Sequence, residues 1–278
     1  MFPHLLTVDV EDWFNILDTP AAPPLTCWEN LESRLEPNLY RLLELFEKHH
    51  IRVTFFWIGW FAEHYPALVK ACVAAGHEIA SHSYSHCLAY EVGQKKYFED
   101  IVKAKKILED VSGQPVRGFR AAGFSALDDT DWFFDCIAEA GYWYDSSIFP
   151  ASRGHGGMKS SPLAPYRVQT EHGSVLEIPQ SMLQIFGHRI SVFGGGYLRL
   201  APWPIIHWGV QKLEKANRPL VVYVHPREID PPHPRLALPL KRRFKCYINL
   251  RSTYNKLDRL CKLGRYVRMI DYFQGLQP

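Results

Sequence analysis

The sequence predicts an α/β fold built on a parallel β-sheet. Short, continuous apolar runs of the kind found in buried strands alternate with segments of helical apolar spacing along most of the 278 residues. The apolar runs are rich in β-branched and aromatic residues, as strands covered on both faces require. Repeated strand–helix–strand units of this kind give a parallel sheet that is either open or rolled into a barrel.

The first half of the chain provides four predicted strands. The first begins at Leu5 and runs into the acidic segment 9–12, and a proline-rich loop follows at 19–24. A helix begins at Pro37, because proline is well tolerated in a first helical turn. The next elements are a strand at 53–58, a helix from 66 to a glycine cap at 76, a strand at 77–80, a helix at 95–109 and a strand at 116–119.

The second half continues the alternation without an internal repeat or a clear domain boundary, so residues 1–278 are expected to form one domain. A Gly/Ser/Pro-rich stretch at 152–165 predicts a long surface loop near the site. The predicted elements are a helix at 129–140, strands at 142–144, 175–178, 220–224 and 266–269, and helices at 205–215 and 249–263.

The composition is that of an ordinary globular protein, with 47% hydrophobic and 22% charged residues. No run approaches eighteen apolar residues, so no transmembrane helix is predicted. The first residues lack a basic segment and a cleavage site, and we therefore expect a cytoplasmic location. Six scattered cysteines without a C-x-x-C pair are expected to be reduced rather than part of a disulfide framework.

The segment 240–268 is strongly basic, with ten Lys or Arg residues against one acidic residue. A solvated helix face explains this charge most simply. The functional alternative is peripheral contact with an anionic membrane or with a lipid-linked glycan. Nucleic acid is not an expected partner, because no basic groove motif studded with aromatic residues accompanies the charge. Oligomeric state is not predictable from the sequence.

Two histidines four residues apart, His82 and His86, lie in a small, hydroxyl-rich segment. If this segment turns helically, both rings lie on one face and can bind one metal ion. The first strand ends in three carboxylates, at 9, 11 and 12, which are costly to bury without a cation or hydrogen-bond donors. Together these groups predict two histidines and one carboxylate around an open position for water, an arrangement typical of catalytic zinc.

Three further strand ends carry polar residues that an α/β core does not require. Arg120, Asp145 and His225 each follow directly after an apolar, strand-like segment. A surface arginine, a turn cap and a loop histidine would explain them singly. The carboxyl ends of parallel strands meet on one side of a sheet, however, so all five strand ends are expected to converge on one site.

These motifs resemble, in order and over nearly the whole chain, those of the polysaccharide deacetylases, the NodB-like carbohydrate esterases of family 4. The matching segments are Thr7–Asp12, His82–His86, Arg120–Phe124, Asp145–Ser147 and Val222–His225. The likeness is closest to the subgroup associated with bacterial exopolysaccharide and exosortase gene clusters. That subgroup shares Asp-Val-Glu-Asp-Trp at 9–13, Gly-Gly-Gly-Tyr at 194–197 and His-Pro-x-Glu-Ile-Asp-Pro at 225–231.

The resemblance implies a distorted (β/α) barrel of about seven parallel strands and metal-dependent hydrolysis of N-acetyl groups. The implied substrate is an N-acetylhexosamine unit of a bacterial surface polysaccharide or of its lipid-linked precursor, and the implied cofactor is one divalent metal ion, foremost zinc. Two other hypotheses stay open. One is hydrolysis of another C–N bond, such as a cyclic amide or a formamide, and the other is glycan binding without catalysis.

The family motifs also imply roles for individual residues. Asp9 corresponds to the catalytic base and Arg120 to the residue that pairs with it. His225, protonated and held by Asp145, corresponds to the acid that protonates the departing amine. The aromatic residues expected to stack on sugar rings are Trp13, Phe124 and Tyr197.

One feature of the first motif departs from the family pattern, in which the base and the metal ligand are adjacent aspartates. Here Val10 and Glu11 separate Asp9 from Asp12. The carboxylate that joins the histidine pair at the metal is therefore either Asp12 or Glu11. We favour Asp12, which a turn beyond the strand end would fold back toward the metal.

Overall fold

An open, curled sheet lies at the centre of the molecule in the computed structural model, which describes residues 3–152 and 156–276. The strands are β1 (Leu5–Val10), β2 (Thr54–Trp57), β3 (Glu78–Ser81), β4 (Gly118–Phe119), β5 (Tyr144–Asp145), β6 (Tyr166–Thr170), β7 (Gly173–Glu177), β8 (Leu183–Ile185), β9 (His188–Ile190) and β10 (Val221–Val224). Their order in the main sheet is β10-β1-β2-β3-β4-β5-β7-β6. The first seven of these run parallel, and only β6 is antiparallel. The predicted α/β fold is confirmed, as a half-barrel rather than a closed one.

Helices cover the sheet and connect its strands. They are α1 (Leu35–Lys48), α2 (Gly59–His64), α3 (Pro66–Ala74), α4 (Ala89–Val92), α5 (Gln94–Ser112), α6 (Phe133–Glu139), α7 (Gly195–Leu200), α8 (Trp203–Lys215), α9 (Leu240–Tyr247), α10 (Leu250–Leu260) and α11 (Met269–Gly275). Short 3-10 helices span Leu25–Asn30, Ala122–Phe124 and Pro226–Ile229. Among the described residues, no helix has the length and apolarity needed to span a bilayer.

The central strands are buried on both faces, as their apolar runs predict. Every residue of β1, β2, β3 and β10 is buried. Helix α1 buries one stripe against the sheet, including Leu39, Leu42 and Phe46, and each such side chain contributes about 1.5–3 kcal/mol through removal from water. Helix α5 ends at Gly113, whose φ of 67° provides a left-handed cap.

The predicted strand at 266–269 is wrong. Tyr266 makes only an isolated bridge to His4, and α11 begins at Met269. Two side chains from the sheet hold this helix start: the Thr54 hydroxyl accepts the N–H of Met269 at 2.8 Å, and Glu78 accepts the next N–H at 3.0 Å. These partners are more than 190 residues away along the chain, so local pattern could not reveal them.

Two hairpins were not predicted. One joins β6 to β7 at the sheet edge, and the other joins β8 to β9 outside the main sheet. The basic segment also contains a separate helix, α9, ahead of α10. The predicted loop at 152–165 is irregular where the structure describes it, and residues 153–155 lie outside the described part of the chain.

Strand register brings the predicted site residues together. Val8 of β1 lies opposite Val224 of β10, so Asp9 and His225 follow on neighbouring strands. Ser81 of β3 pairs with Phe119 of β4, which places His82 beside the strand that leads into Arg120. All these side chains lie at the carboxyl end of the sheet, where ligands bind in open α/β folds.

Candidate active site

A carboxylate and two imidazoles meet just beyond the ends of β1 and β3. Oε1 of Glu11 lies 3.0 Å from Nε2 of His86 and 3.4 Å from Nε2 of His82, and all three side chains are buried. Burial alone would raise the pKa of the Glu11 carboxyl. The neighbouring His225 and His86, together with hydrogen bonds from both motif histidines, instead hold that pKa well below its usual range. Glu11 is therefore ionised.

The ring of His82 is oriented by its other nitrogen. Nδ1 donates to the carbonyl of Arg120 at 2.8 Å, so the lone pair of Nε2 faces Glu11. Two acceptors at this distance repel each other unless a proton or a cation lies between them. Burial lowers the pKa of His82, but the hydrogen bond to Glu11 and the charge of Asp9 raise it by more.

The donor set suits a divalent metal ion. Ligand atoms of Glu11, His82 and His86 all lie within 4.8 Å of one another. Two imidazole nitrogens and one carboxylate oxygen match the ligand preference of zinc, and three protein ligands leave a position for water or substrate. The hydrogen bond from His82 to a backbone carbonyl is the outer contact that metal-binding histidines usually have.

The segment between the two histidines is an irregular loop and not the helical turn that the spacing allowed. Ser83 and His86 have φ values of 62° and 57°, so the chain reverses twice and still brings both rings to one side. Asp100 on α5 holds this loop, because it accepts the N–H groups of Tyr84 and Ser85 at 2.7 and 3.1 Å. It also accepts the Ser85 hydroxyl at 2.5 Å.

The structure places Asp12 away from the histidines, which corrects our preference for it over Glu11 as the candidate ligand. Its carboxylate accepts the backbone N–H of Trp13 at 2.7 Å, the Ser33 hydroxyl at 2.7 Å and the N–H of Arg34 at 2.9 Å. Asp12 thus ties the end of β1 to the start of α1. The side chain one position earlier points the other way, into the site.

Asp9 and Arg120 form a buried ion pair, as the motifs imply. Nη1 of Arg120 lies 2.5 Å from Oδ1 of Asp9 and donates to the Thr7 hydroxyl at 2.8 Å. Its other nitrogens donate to the carbonyl and the hydroxyl of Ser146 at 3.2 and 3.1 Å. The guanidinium is completely buried and each of its three nitrogens has a hydrogen-bond partner, so it fixes the carboxylate of Asp9.

His225 is held by Glu228, and not by Asp145 as expected. Oε2 of Glu228 lies 3.1 Å from Nδ1 of His225 and accepts the backbone N–H of the same residue at 3.0 Å. Glu228 also forms an ion pair with the buried guanidinium of Arg199. Nε2 of His225 then faces the site, 3.5 Å from Oε1 of Glu11 and 3.9 Å from Oδ2 of Asp9.

The expectation that His225 is protonated at rest does not fit its surroundings. The pKa of His225 is lowered to about 4, chiefly by burial and also by the charges of Arg227 and Arg199, and attraction from Glu11 and Asp9 only partly offsets these effects. The resting imidazole is therefore neutral at pH 7. A proton on its Nε2 would leave readily.

Asp145 belongs to a separate buried carboxyl pair. It accepts the hydroxyl and the N–H of Ser147 at 2.6 and 3.1 Å and lies in register with Glu177 of β7. Burial raises the pKa of Glu177 well above its usual range, and the charge of Asp145 raises it further. Glu177 is thus protonated beside Asp145, and the pair fastens β5 to β7 behind the Arg120 network.

Two segments of the chain match models of protein families. Residues 27–142 match the family model described as polysaccharide deacetylase, and residues 146–274 match a domain of unknown function, DUF3473. The first of these segments is therefore similar to a polysaccharide deacetylase domain. The single sheet runs through both matched segments, because β4 of the deacetylase domain pairs with β5, and β5 pairs with β7 of the second segment.

The curated relatives match this chain over only part of their length. A peptidoglycan deacetylase of Helicobacter pylori is 29% identical over 41% of this chain and 38% of the relative. A peptidoglycan-N-acetylglucosamine deacetylase of Bacillus cereus is 33% identical over 37% of this chain and 46% of the relative. The chain thus spans less than half the length of these two proteins in the alignments.

The fold itself extends over the whole chain. A crystal structure from Mycobacterium smegmatis, assigned to the polysaccharide deacetylases, superposes with a TM-score of 0.65 over 99% of this chain and 92% of its own, at 18% identity. In this fold the candidate site combines three regions of the sequence. The histidine pair and Arg120 lie in the deacetylase domain, Asp9 and Glu11 precede it, and His225 lies in the second segment.

A cavity of about 410 Å³ opens above these groups. Asp9, Glu11, His82 and His225 line one part of it, and the volume is in the range of small-molecule and sugar sites. Among the predicted sugar-stacking residues, Phe124 and Tyr197 line the cavity. The structure places Trp13 elsewhere: its indole donates to the carbonyl of Glu32 at 3.0 Å and packs edge-on against Phe14.

Three residues that shape the candidate site were not predicted from the sequence: Glu228, Arg199 and Asp100. Glu228 carried a signal, because a glutamate three residues after a capping residue is the pattern of a capping box, and His225 with Glu228 forms one. Arg199 and Asp100 carried none that could be read locally. They reach the site from α7 and α5, and only the tertiary fold brings them there.

Proposed function

We propose that this protein is a metal-dependent hydrolase that removes N-acetyl groups from N-acetylhexosamine units of a bacterial surface polysaccharide or of its lipid-linked precursor. The observation that carries the proposal is the meeting of a Glu-His-His donor set with a buried Asp–Arg pair and a held histidine in one cavity. The names of the deacetylase relatives agree with this chemistry.

Glu11, His82 and His86 are the residues that would hold the metal ion, and zinc suits them best. When bound, such an ion supplies Lewis-acid polarisation of a carbonyl and makes water more acidic. The ionised carboxylate and the two buried imidazole rings, of which His82 is held by the carbonyl of Arg120, are ready for that role without rearrangement of the strands.

Asp9 is the proposed general base. Its Oδ1 is fixed by Arg120, which leaves Oδ2 directed toward His225 and the cavity. A carboxylate that is ionised and immobile can accept the proton of the attacking water. A positioned base of this kind contributes on the order of 10²–10⁴-fold to the rate.

His225 is the proposed general acid. An amine leaves an acetamide only if its nitrogen is protonated as the C–N bond breaks. Nε2 of His225 lies 3.9 Å from Oδ2 of Asp9, so the proton that Asp9 takes from water can pass to the imidazole and then to the departing nitrogen. Because its surroundings disfavour the charged ring, the protonated form of His225 is a strong acid toward the amine.

The decisive experiment is acetate release from N-acetylhexosamine oligomers by protein that is stripped of metal and then reloaded with zinc. We expect acetate release only after zinc is reloaded. The His82→Ala protein should lose both zinc binding and acetate release. The His225→Ala protein should keep its zinc and release acetate at least about 10²-fold more slowly. Full activity of the His225→Ala protein would refute the acid role. Tight zinc binding without acetate release from any sugar would favour hydrolysis of another C–N bond.

We also propose that the enzyme works at the cytoplasmic face of an anionic membrane, which suits a lipid-linked substrate. On α9, Leu240 and Phe244 are 83% and 55% exposed and lie one turn apart, and exposed Lys241 and Arg243 flank them. An exposed apolar pair among cations is typical of helices that lie in a membrane interface. The protein should co-sediment with anionic vesicles at low salt, and a Leu240→Gln, Phe244→Gln double variant should bind them more weakly. Absence of binding at low salt would refute this part of the proposal.

A further inference from the structure

A buried cation without a partner lines the cavity beside the proposed catalytic groups. The side chain of Arg227 is only 9% exposed, and its Nε and Nη1 have no hydrogen-bond partner within residues 3–152 and 156–276. Burying a charged guanidinium without a counter-ion costs several kcal/mol. An unpaired buried charge of this kind is typical of a site where a bound ligand supplies the missing anion.

The neighbouring carboxylates are committed to other cations. Glu228, next in sequence, is shared between His225 and Arg199. Asp230 accepts from Arg34 at 3.0 Å and from Asn38 at 3.1 Å. Neither carboxylate is therefore free to neutralise Arg227, which lines the cavity.

Two more cations line the same cavity from α9. Arg242 and Lys245 lie one turn apart along that helix, and both line the cavity that Arg227 also lines. Nε of Arg242 likewise has no hydrogen-bond partner in the described chain, although its Nη2 donates to the carbonyl of Leu17 and its Nη1 lies 3.7 Å from the exposed carboxylate of Asp18. The cavity thus has an acidic part formed by Asp9 and Glu11 and a basic part formed by these three residues.

We propose that the basic part of the cavity is an oxyanion subsite, in which Arg227, Arg242 and Lys245 bind a carboxylate or phosphate group carried by the N-acetylated sugar. The proposal rests on the deacetylase function and narrows its substrate to acidic or phosphorylated amino sugars. Arginine provides paired donors in the geometry of these anions, and a desolvated arginine binds them more strongly than an exposed one. The same arrangement would select against neutral chitin-like sugars.

Binding measurements test the subsite separately from catalysis. By calorimetry, the His82→Ala protein, which lacks the metal site, should bind N-acetylglucosamine 1-phosphate or 2-acetamido-2-deoxyglucuronate at least about tenfold more tightly than neutral N-acetylglucosamine. The preferred anion of the two identifies the source, a glycosyl phosphate or a uronic acid. Equal binding of all three sugars would overturn the proposal.

Single variants then locate the subsite. Adding Arg227→Gln to the His82→Ala protein should weaken binding of the preferred anionic sugar by about 10- to 100-fold and leave binding of the neutral sugar unchanged. Adding Lys245→Gln instead should weaken binding of the anionic sugar by a smaller factor. Arg243→Gln is the matched control, since Arg243 is exposed on the same helix and does not line the cavity. Unchanged anion binding in both Arg227→Gln and Lys245→Gln would refute the subsite.

The melting temperature and acetate release complete the test. Because Arg227→Gln removes an uncompensated buried charge, the ligand-free variant should melt at the same temperature as the parent or higher, so lost binding would not reflect misfolding. If anionic sugars bind through Arg227 but no acetate is released by the zinc-loaded parent, the deacetylase function fails and the subsite stands. If acetate is released equally from neutral and anionic sugars, the subsite fails and the deacetylase function stands.

Discussion

Glu228 holds His225 through two contacts, to Nδ1 at 3.1 Å and to the backbone N–H at 3.0 Å. With Nδ1 engaged in this way, the imidazole presents Nε2 to Glu11 and Asp9. Arg199, buried behind the same carboxylate, neutralises its charge. The result is an Arg–Glu–His chain that orients the proposed acid.

The Glu228→Gln variant tests this chain. An amide cannot accept from both His225 and Arg199, so one of the two contacts becomes a donor facing a donor. We expect kcat for deacetylation to fall about 10- to 100-fold, with zinc content unchanged. Asp145→Asn is the comparison, because that carboxylate contacts Ser147 and Glu177 instead. A larger loss of kcat in Asp145→Asn than in Glu228→Gln would restore the role that the sequence implied.

The choice of metal carboxylate can be tested by paired variants at adjacent positions. Glu11→Gln should lower zinc affinity by more than about 100-fold, since even outer-shell partners of metal ligands are worth 10- to 100-fold. Asp12→Asn should keep its zinc and instead lose about 1–2 kcal/mol of folding free energy, because it weakens the contacts that fasten the start of α1. Zinc content after dialysis and urea unfolding measure the two effects, and zinc lost from Asp12→Asn alone would contradict the assignment.

Much of the fold and part of the site could be predicted from the sequence. Buried parallel strands such as β2 and β10 show as apolar runs, and strand ends of a parallel sheet converge by topology, so Asp9, His82 and Arg120 could be grouped from sequence alone. What local pattern cannot provide is the direction of a side chain in a turn. The turn after β1 decides between Glu11 and Asp12: the sequence favoured Asp12, whereas the structure places Glu11 beside the two histidines.

Errors elsewhere have the same physical origin. The segment 266–269 resembles a strand in composition, yet Thr54 and Glu78 cap a helix there from the middle of the sheet. Trp13 follows the acidic motif and was expected at the sugar, but its hydrogen bond to Glu32 turns it away. Each outcome depends on a partner distant in sequence, which periodicity and propensity do not encode.

Asp100 should control metal affinity without contacting the metal. It holds the loop between the two histidines through Tyr84 and Ser85, and this loop has to keep a left-handed backbone at His86. Asp100→Ala is expected to weaken zinc binding about tenfold, within the range for residues that orient metal ligands. Glu99→Ala, at the exposed neighbouring position, should bind zinc like the parent. Unchanged affinity in Asp100→Ala would show that the loop is held by other contacts.

A buried histidine remote from the cavity should make stability depend on pH. His77 accepts the N–H of Val53 through Nδ1 at 3.2 Å and packs edge-on against Phe46 and Phe55. Burial, with a smaller contribution from the charges of Arg52 and Arg268, lowers the pKa of His77 from 6.5 to about 4. Between these two pH values the unfolded chain binds a proton that the folded chain rejects. Stability due to His77 is therefore present above pH 6.5 and is lost as the pH falls toward 4.

The expected loss from this residue is about 2 kcal/mol between pH 7.5 and pH 5, from the linkage of pKa to folding free energy. Urea unfolding of the parent and of His77→Gln at the two pH values isolates it, because glutamine does not titrate. The variant should be less stable at pH 7.5, but the fall in its stability down to pH 5 should be smaller by that amount. His172→Gln, at an exposed position, should show the full fall of the parent. If stability falls equally in His77→Gln and the parent, the pKa of His77 in the folded protein would be close to its unperturbed value of 6.5.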